Sequence, residues 1–293
     1  MKFSVYTLSL PDMTPTQAAA LIASQGLQGV EWRLSELPQA YASEPFSFSR
    51  NNACTVGMSP TDGQYLAGVA SRAQLTSIGV APYIRIGDAD GFERAAVVAS
   101  CAGAKTVRVR APVMDGTSVH ELLRKGRKFL EVISDVAREY HVAAALEIHQ
   151  GSVCPSASLA ERLVAGLDAA VIKVIYDVGN LVLEGYEDHR IGLDILGEHL
   201  SHIHLKNAWW ERSSDRPGTW VPSWSPLDDG VLDARRFLDL LAERDYQGWV
   251  SLEDLSTARS PTATLVYNAA LLRQWGFLGP APAEPQVANS ACS

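Results

Sequence analysis

Four ionisable residues each close an otherwise apolar run: Glu147 after Ala144-Ala145-Leu146, Asp177 after Val174-Ile175-Tyr176, His204 within His202-Ile203-His204-Leu205, and Glu253 after Val250-Ser251-Leu252. Such runs read as strands, and one carboxylate at a strand end is ordinarily a helix cap or half of a salt bridge. Three carboxylates and an imidazole gathered at one place would repel one another, and a shared divalent cation relieves that repulsion. Oxygen donors with a single imidazole suit Mn²⁺ first, with Mg²⁺, Co²⁺ or Zn²⁺ as alternatives, and leave positions open for substrate oxygens. The stretch Ser201-His202-Ile203-His204-Leu205-Lys206-Asn207 supports this grouping. In an extended strand His202, His204 and Lys206 share one side, and Ile203 and Leu205 the other. If helices cover the apolar side, the imidazoles and the ammonium face an interior that must satisfy them. Hydrogen-bonded core histidines are the ordinary alternative, and that reading fits His202, one layer deeper.

Positioning these groups requires a regular scaffold. Strand-like and helix-like segments alternate without a break: strands over Phe3–Leu8, Gly29–Leu34, Val80–Ile86, Thr106–Arg110, Val142–His149, Val171–Asp177, Ser201–Asn207 and Trp249–Leu255. Between them run helices opened by Thr14-Pro15, over Gln64–Gly79, from the box Asp90-Gly91-Phe92-Glu93, from Ser118-Val119-His120-Glu121, from Ser158-Leu159-Ala160-Glu161, over Asp188–His199 and over Asp233–Arg244, with Ser260-Pro261 capping the last. Eight such units imply parallel pairing and right-handed crossovers. Roughly 250 residues of them is the size of a closed (β/α)₈ TIM barrel, expected as a single domain over residues 1–278. An open doubly wound sheet would carry a Gly-rich turn after its first strand, and Leu8-Ser9-Leu10-Pro11-Asp12 is not one. Residues 279–293, rich in Pro, Ala and Ser, read as a disordered tail.

The 293-residue chain is 47% hydrophobic and carries a net charge of −8, which argues against a nucleic-acid surface. No run of about 18 apolar residues suggests a membrane span. Cys54, Cys101, Cys154 and Cys292 form no C-x-x-C pair, and the first residues read as a strand instead of a signal peptide, so a reducing, cytoplasmic setting is expected.

Taken together and in order, Leu146-Glu147-Ile148-His149, Tyr176-Asp177-Val178-Gly179-Asn180, His202-Ile203-His204-Leu205-Lys206-Asn207, Asp229-Gly230-Val231-Leu232-Asp233, Gly248-Trp249-Val250-Ser251 and Ser251-Leu252-Glu253-Asp254 resemble the xylose-isomerase-like TIM-barrel superfamily. That group includes ketose 3-epimerases, inosose isomerases and dehydratases, hydroxypyruvate isomerases and AP endonucleases. The resemblance implies that Glu147, Asp177, His204 and Glu253 bind one metal ion and that the two glutamates double as acid and base. It also implies a homo-oligomer, by analogy with dimeric and tetrameric members. The chain departs from the ketose 3-epimerases at three places: Asn180 stands where they have a substrate-binding His, Val153 where they have a Glu, and Trp210 where they have an Arg. The extra histidines of the AP endonuclease site are absent as well.

Further residues follow from their positions. His149 shares a face with Glu147 and is a candidate acid or base. Lys206 is placed to polarise a carbonyl or to pair with Glu253. Arg108 and Arg110 alternate inward on the fourth strand, and Arg108 is taken, with Asn180, as substrate-binding. The loop Ala208–Asp228 carries four of the seven tryptophans, Trp209, Trp210, Trp220 and Trp224. Trp209 and Trp210 are therefore expected to stack on a sugar ring or aglycone, and Phe46–Ser59 to supply the opposite wall. His189 and His199 read as solvated helix residues. The leading reading is a divalent-metal-dependent isomerase or epimerase moving a proton beside the carbonyl of a keto-sugar or cyclitol. The alternatives are a lyase on the same scaffold, dehydrating its substrate or eliminating the aglycone of a 3-keto-glycoside with a partner subunit, and a non-catalytic binding or assembly subunit.

Overall fold

The computed structural model describes residues 1–36 and 43–282. Its centre is a closed barrel of eight parallel strands: β1 (Lys2–Tyr6), β2 (Gly29–Arg33), β3 (Thr76–Ala81), β4 (Thr106–Arg110), β5 (Ala143–Glu147), β6 (Ile172–Asp177), β7 (Leu200–Leu205) and, after a two-stranded insertion, β10 (Trp249–Leu252). β10 closes the ring by pairing with both β7 and β1. The expected TIM barrel is thus the observed architecture. Among the described residues, no helix is long and apolar enough to cross a membrane.

Alternation along the strands builds two environments. Phe3, Val5, Val30, Trp32, Val107, Val109, Leu146, Val174, Ile203, Leu205, Val250 and Leu252 are buried in one continuous apolar cluster with the surrounding helices. The intervening positions, among them Ser4, Glu31, Ser77, Arg108, Glu147, Asp177, His202, His204, Ser251 and Glu253, are buried yet polar. A parallel barrel covered by helices hides both faces of every strand from water. Its polar face must therefore be satisfied inside the ring.

The helices are α1 (Pro15–Ser24), α2 (Pro60–Arg72), α3 (Ala89–Ala102), α4 (Val119–Glu139), α5 (Ala157–Val164), α6 (Val178–Leu183), α7 (His189–Leu196), α8 (Ala234–Glu243) and α9 (Pro261–Gln274). Local chemistry shifts several boundaries from those expected. α2 starts at Pro60 instead of Gln64 because Ser59 and Asp62 form a reciprocal box, Asp62 accepting from the Ser59 N–H at 2.9 Å. The same helix ends at Arg72, and the following strand begins at Thr76, four residues before the expected Val80. Gly79, expected to end the helix, lies inside β3 against the Thr106 side chain, where a Cβ would not fit. α3 is capped by Asp88, whose carboxylate accepts from the Gly91 N–H at 2.9 Å, and α5 by Ser156, not by Asp90 and Ser158.

One helix and one hairpin lie outside the expected elements. α6 follows β6 without a gap. The Trp-rich stretch is an antiparallel hairpin, β8 (Asn207–Arg212) paired with β9 (Trp220–Ser225), and not a loop. His189 and His199 are half-buried and not solvated: their Nδ1 atoms lie 3.0 Å from the Tyr176 hydroxyl and 2.8 Å from the Ile172 carbonyl. At the chain end Arg273 donates from Nε to the Gly279 carbonyl at 3.1 Å, and the expected tail from 283 onward lies outside the described residues.

Candidate metal centre

The C-terminal ends of β5, β6, β7 and β10 bring Glu147, Asp177, His204 and Glu253 together, with one donor atom from each lying within 4.8 Å of the others. All four are at most 2% exposed. His204 Nδ1 stands 3.3 Å from a Glu253 oxygen, 3.4 Å from Glu147 Oε1 and 3.6 Å from Asp177 Oδ2. That nitrogen is buried and has no hydrogen-bond partner. A buried ring nitrogen without a partner carries a penalty unless something fills the gap. An imidazole lone pair facing three carboxylate oxygens is a donor set that fits a divalent cation.

Each group is held by its strand's local structure. Asp177 ends β6 and caps α6, its Oδ1 accepting from the Asn180 N–H at 2.9 Å, which leaves Oδ2 directed into the centre. Lys206, just beyond β7, places Nζ 2.7 Å from Asp177 Oδ2 and 2.6 Å from Glu253 Oε2. Its stem packs on Gly179 so closely that any side chain there would collide with Lys206 Cγ. Its ammonium lies 4.8 Å from the centre of the Trp224 ring at the root of the hairpin. Arg108 donates to Glu147 Oε2 at 3.3 Å and to the Pro82 carbonyl at 3.1 Å, while its Nε has no partner. The guanidinium carbon sits 5.0 Å from the Tyr83 ring and 5.6 Å from the Tyr6 ring.

Electrostatics follow from these contacts. Burial opposes charge on Glu147, Asp177, His204 and Lys206, and the pairing overcomes it. The Arg108 guanidinium and His204 hold the Glu147 carboxyl well below the usual range. Lys206 and His204 lower Asp177. Asp177, Glu253 and Glu147 raise the Lys206 ammonium above its ordinary value. Glu31, with the three carboxylates, raises the His204 imidazole well above its own.

The remaining expected residues fall as follows. His149 is half-buried, its Nδ1 2.6 Å from the Gln150 carbonyl. Asn180 is fully buried; its amide donates to the Ile148 carbonyl at 3.0 Å, and its oxygen has no partner. Trp209 is half-buried and Trp210 is 42% exposed, with Nε1 3.5 Å from the Val182 carbonyl. Among the described residues no hydrogen bond or ring contact joins either tryptophan to the four converging side chains; Trp224 is the hairpin residue that reaches them, through Lys206. From the Phe46–Ser59 segment Phe48 packs on the Tyr6, Leu8 and Ala81 cluster, and Arg33 donates to the Ser49 carbonyl at 3.0 Å. Arg110 carries no side-chain hydrogen bond or ion pair among the described residues.

Sequence reasoning missed Glu31 and Tyr6. Glu31, on β2, is 1% exposed and has Oε2 2.8 Å from His204 Nε2 and 3.2 Å from the Ser251 hydroxyl. Tyr6 stacks on the His204 ring with centroids 5.6 Å apart. The only signal for Glu31 is its alternation with Val30 and Trp32.

Comparison with known proteins gives the family of the chain. Inosose dehydratase from Clostridium tetani is 24% identical over 134 residues, covering 43% of this chain and 45% of that protein. The protein from Geobacillus thermodenitrificans with the same name is 27% identical over 135 residues, 42% of this chain and 44% of that one. The chain therefore spans under half the length of these curated relatives. A D-tagatose 3-epimerase-like protein superposes with a TM-score of 0.68 at 16% identity, covering 94% of this chain and 97% of that one. The 3-keto-D-glucoside 4-epimerase of E. coli gives 0.66 at 17%, covering 94% and 99%. The IolI protein, solved with a zinc atom bound, gives 0.65 at 16%, covering 93% and 97%. At these identities the structural likeness shows a shared fold. Residues 20–275 match a family model that spans most of the chain, and the protein belongs to the xylose isomerase-like TIM barrel family.

Proposed function

We propose that this protein is a divalent-cation-dependent enzyme that moves a proton on a carbon beside a carbonyl in a keto-sugar or cyclitol, as an isomerase or epimerase. The observation that carries this reading is the unpartnered His204 Nδ1 facing three buried carboxylates at 3.3–3.6 Å. Glu147, Asp177, His204 and Glu253 would hold the ion, with Mn²⁺ the first choice for this donor set and Mg²⁺, Co²⁺ and Zn²⁺ as alternatives. When bound, a divalent cation supplies a Lewis acid that offsets the negative charge developing on substrate oxygens.

The chain's own groups do the proton work. Glu147 and Glu253 stand on β5 and β10, with β6 and β7 between them, so they approach a substrate from different sides. One carboxylate takes the proton and the other returns it. Arg108 keeps Glu147 ionised and therefore competent as a base, and its unpartnered Nε is free to donate to a substrate oxygen. The free Asn180 amide oxygen is an acceptor for a substrate hydroxyl. His149, two residues beyond Glu147, is the next acid or base outward. Trp209 and Trp210 are assigned to the outer part of the substrate, away from the reacting carbon.

A second reading, dehydration on the same scaffold, is favoured by one observation. Lys206 is a buried cation 2.6 Å from Glu253, placed to assist departure of a hydroxyl after the neighbouring proton is removed. The similarity of part of the chain to inosose dehydratases points the same way.

The test is incubation with keto-sugars and inososes in D₂O. Deuterium incorporation with an intact carbon skeleton identifies isomerisation or epimerisation; loss of water with an unsaturated ketone product identifies elimination. Activity should vanish on chelation and return with Mn²⁺ or Co²⁺. A fully active Glu147→Gln variant refutes both readings.

A further inference from the structure

Glu31 is not one of the four converging residues, yet it is buried in the barrel interior with Oε2 beside His204, His202 and Ser251. It lies on β2, which is separated from β7 by β1 and β10, so its carboxylate reaches across the inside of the closed ring. Its Oε2 is 2.8 Å from His204 Nε2. A carboxylate ionised at neutral pH only accepts hydrogen bonds, so the hydrogen in that contact belongs to Nε2. In a neutral imidazole a hydrogen on one nitrogen leaves a lone pair on the other, and here that other is Nδ1, the atom facing Glu147, Asp177 and Glu253.

We infer that Glu31 is a positioning residue: its carboxylate fixes His204 in the Nε2–H tautomer and orients the ring so that the Nδ1 lone pair is presented to the three carboxylates. This rests on the reading of the centre as a divalent-ion site. Three neighbours hold the arrangement. The Ser251 hydroxyl donates to the same Glu31 oxygen at 3.2 Å and keeps the carboxylate from rotating away. Tyr6 lies on the imidazole face, its plane tilted by 20°. His202 Nε2 closes the inner side at 3.3 Å from His204 Nε2 and 3.5 Å from Glu31 Oε2. The ring therefore cannot flip without breaking the Glu31 contact.

A carboxylate that orients a ligating imidazole typically matters about 10- to 100-fold in ion affinity. The test titrates Zn²⁺ alone into the full-length protein against a chromophoric chelator. Glu31→Ala should bind one ion per chain about 10- to 100-fold more weakly than the unchanged protein. Glu31→Gln, whose amide oxygen still accepts from Nε2, should recover most of that loss. Long-range ¹⁵N–¹H spectra of the unchanged protein with Zn²⁺ bound should place the His204 hydrogen on Nε2, and this reading survives even if Glu31→Ala fails to fold. Equal affinity in all three proteins, or a His204 hydrogen on Nδ1 in the ion-bound protein, overturns the inference while leaving the centre intact. Two ions per chain, one of them lost in Glu31→Ala, would make Glu31 a ligand and also overturn it. No saturable Zn²⁺ binding by the unchanged protein overturns the divalent-ion reading, and this inference with it.

Discussion

Replacing Lys206 with methionine keeps the stem's packing on Gly179 but removes a buried ammonium. In the native protein that ammonium sits 2.7 Å from Asp177 and 2.6 Å from Glu253, with the three side chains at most 4% exposed. Breaking a buried ion pair by deleting one partner costs about 3–5 kcal/mol, because the remaining charge has neither water nor a counter-ion. At about 2–4 °C per kcal/mol for a chain of this size, the metal-free variant should melt roughly 6–20 °C below the native protein. A divalent ion replaces the missing positive charge, so the deficit should shrink when Mn²⁺ or Zn²⁺ is added. The variant should gain more from the ion than the native protein does.

The pH dependence has a definite sign. The folded Lys206 pKa is raised above its unfolded value of about 10.4, so its contribution is fully present below that pH and is lost as pH rises through the folded value. The gap between the two proteins should therefore be constant from about pH 6 to 9. Differential scanning calorimetry with chelator, then with excess ion, reads all of this. A metal-free Lys206→Met protein that melts within about 3 °C of native would refute the claim that this ammonium compensates the carboxylates.

Other consequences are simpler to check. Glu147 and Asp177 have folded pKa values below their unfolded values near 4, so the stability they contribute is present above about pH 4 and lost as pH falls through the folded values; urea unfolding of the metal-free protein should give a plateau at neutral pH and a decline below about pH 4. Cys54 and Cys154 are buried and burial pushes both thiols up, Cys54 to about 12, whereas Cys101 is half-buried; of these three, only Cys101 should react with a disulfide reagent in the folded protein at pH 8, and equal reactivity of Cys54 would contradict the packing. Gly179→Ala forces a methyl into Lys206 and should cost about 1–3 kcal/mol in urea unfolding while weakening activity, since the stem must move. Trp210→Ala should raise KM with little change in kcat if this exposed side chain contacts only the outer part of the substrate.

The sequence by itself determined the β/α rhythm, because apolar runs of strand length alternate with capped amphipathic helices. It also marked Glu147, Asp177, His204 and Glu253, since an ionisable residue closing an apolar run violates the pattern a buried strand otherwise keeps. Boundaries that depend on a reciprocal contact were less legible: the start of α2 lies with Ser59 and Asp62, and the helix–strand division before β3 with the approach of Thr106 to Gly79. The Trp-rich stretch looks like a loop in the sequence because its strands pair only with each other, and no alternation separates a buried face from an exposed one.

Tertiary structure alone decided the identity of the interior partners. In Gly29-Val30-Glu31-Trp32-Arg33 the alternation is that of any strand with one wet face, and nothing local says that the face is dry. Closure of the ring turns that face toward the axis and brings Glu31 within 2.8 Å of a residue 173 positions away. For Lys206 the pairing with Glu253 is legible in the strand alternation, but its second partner, Asp177, comes only from the placement of β6 beside it. Spacing along a chain fixes which way a side chain points, but which charge it meets depends on how the strands are joined in space, and that is a property of the closed barrel.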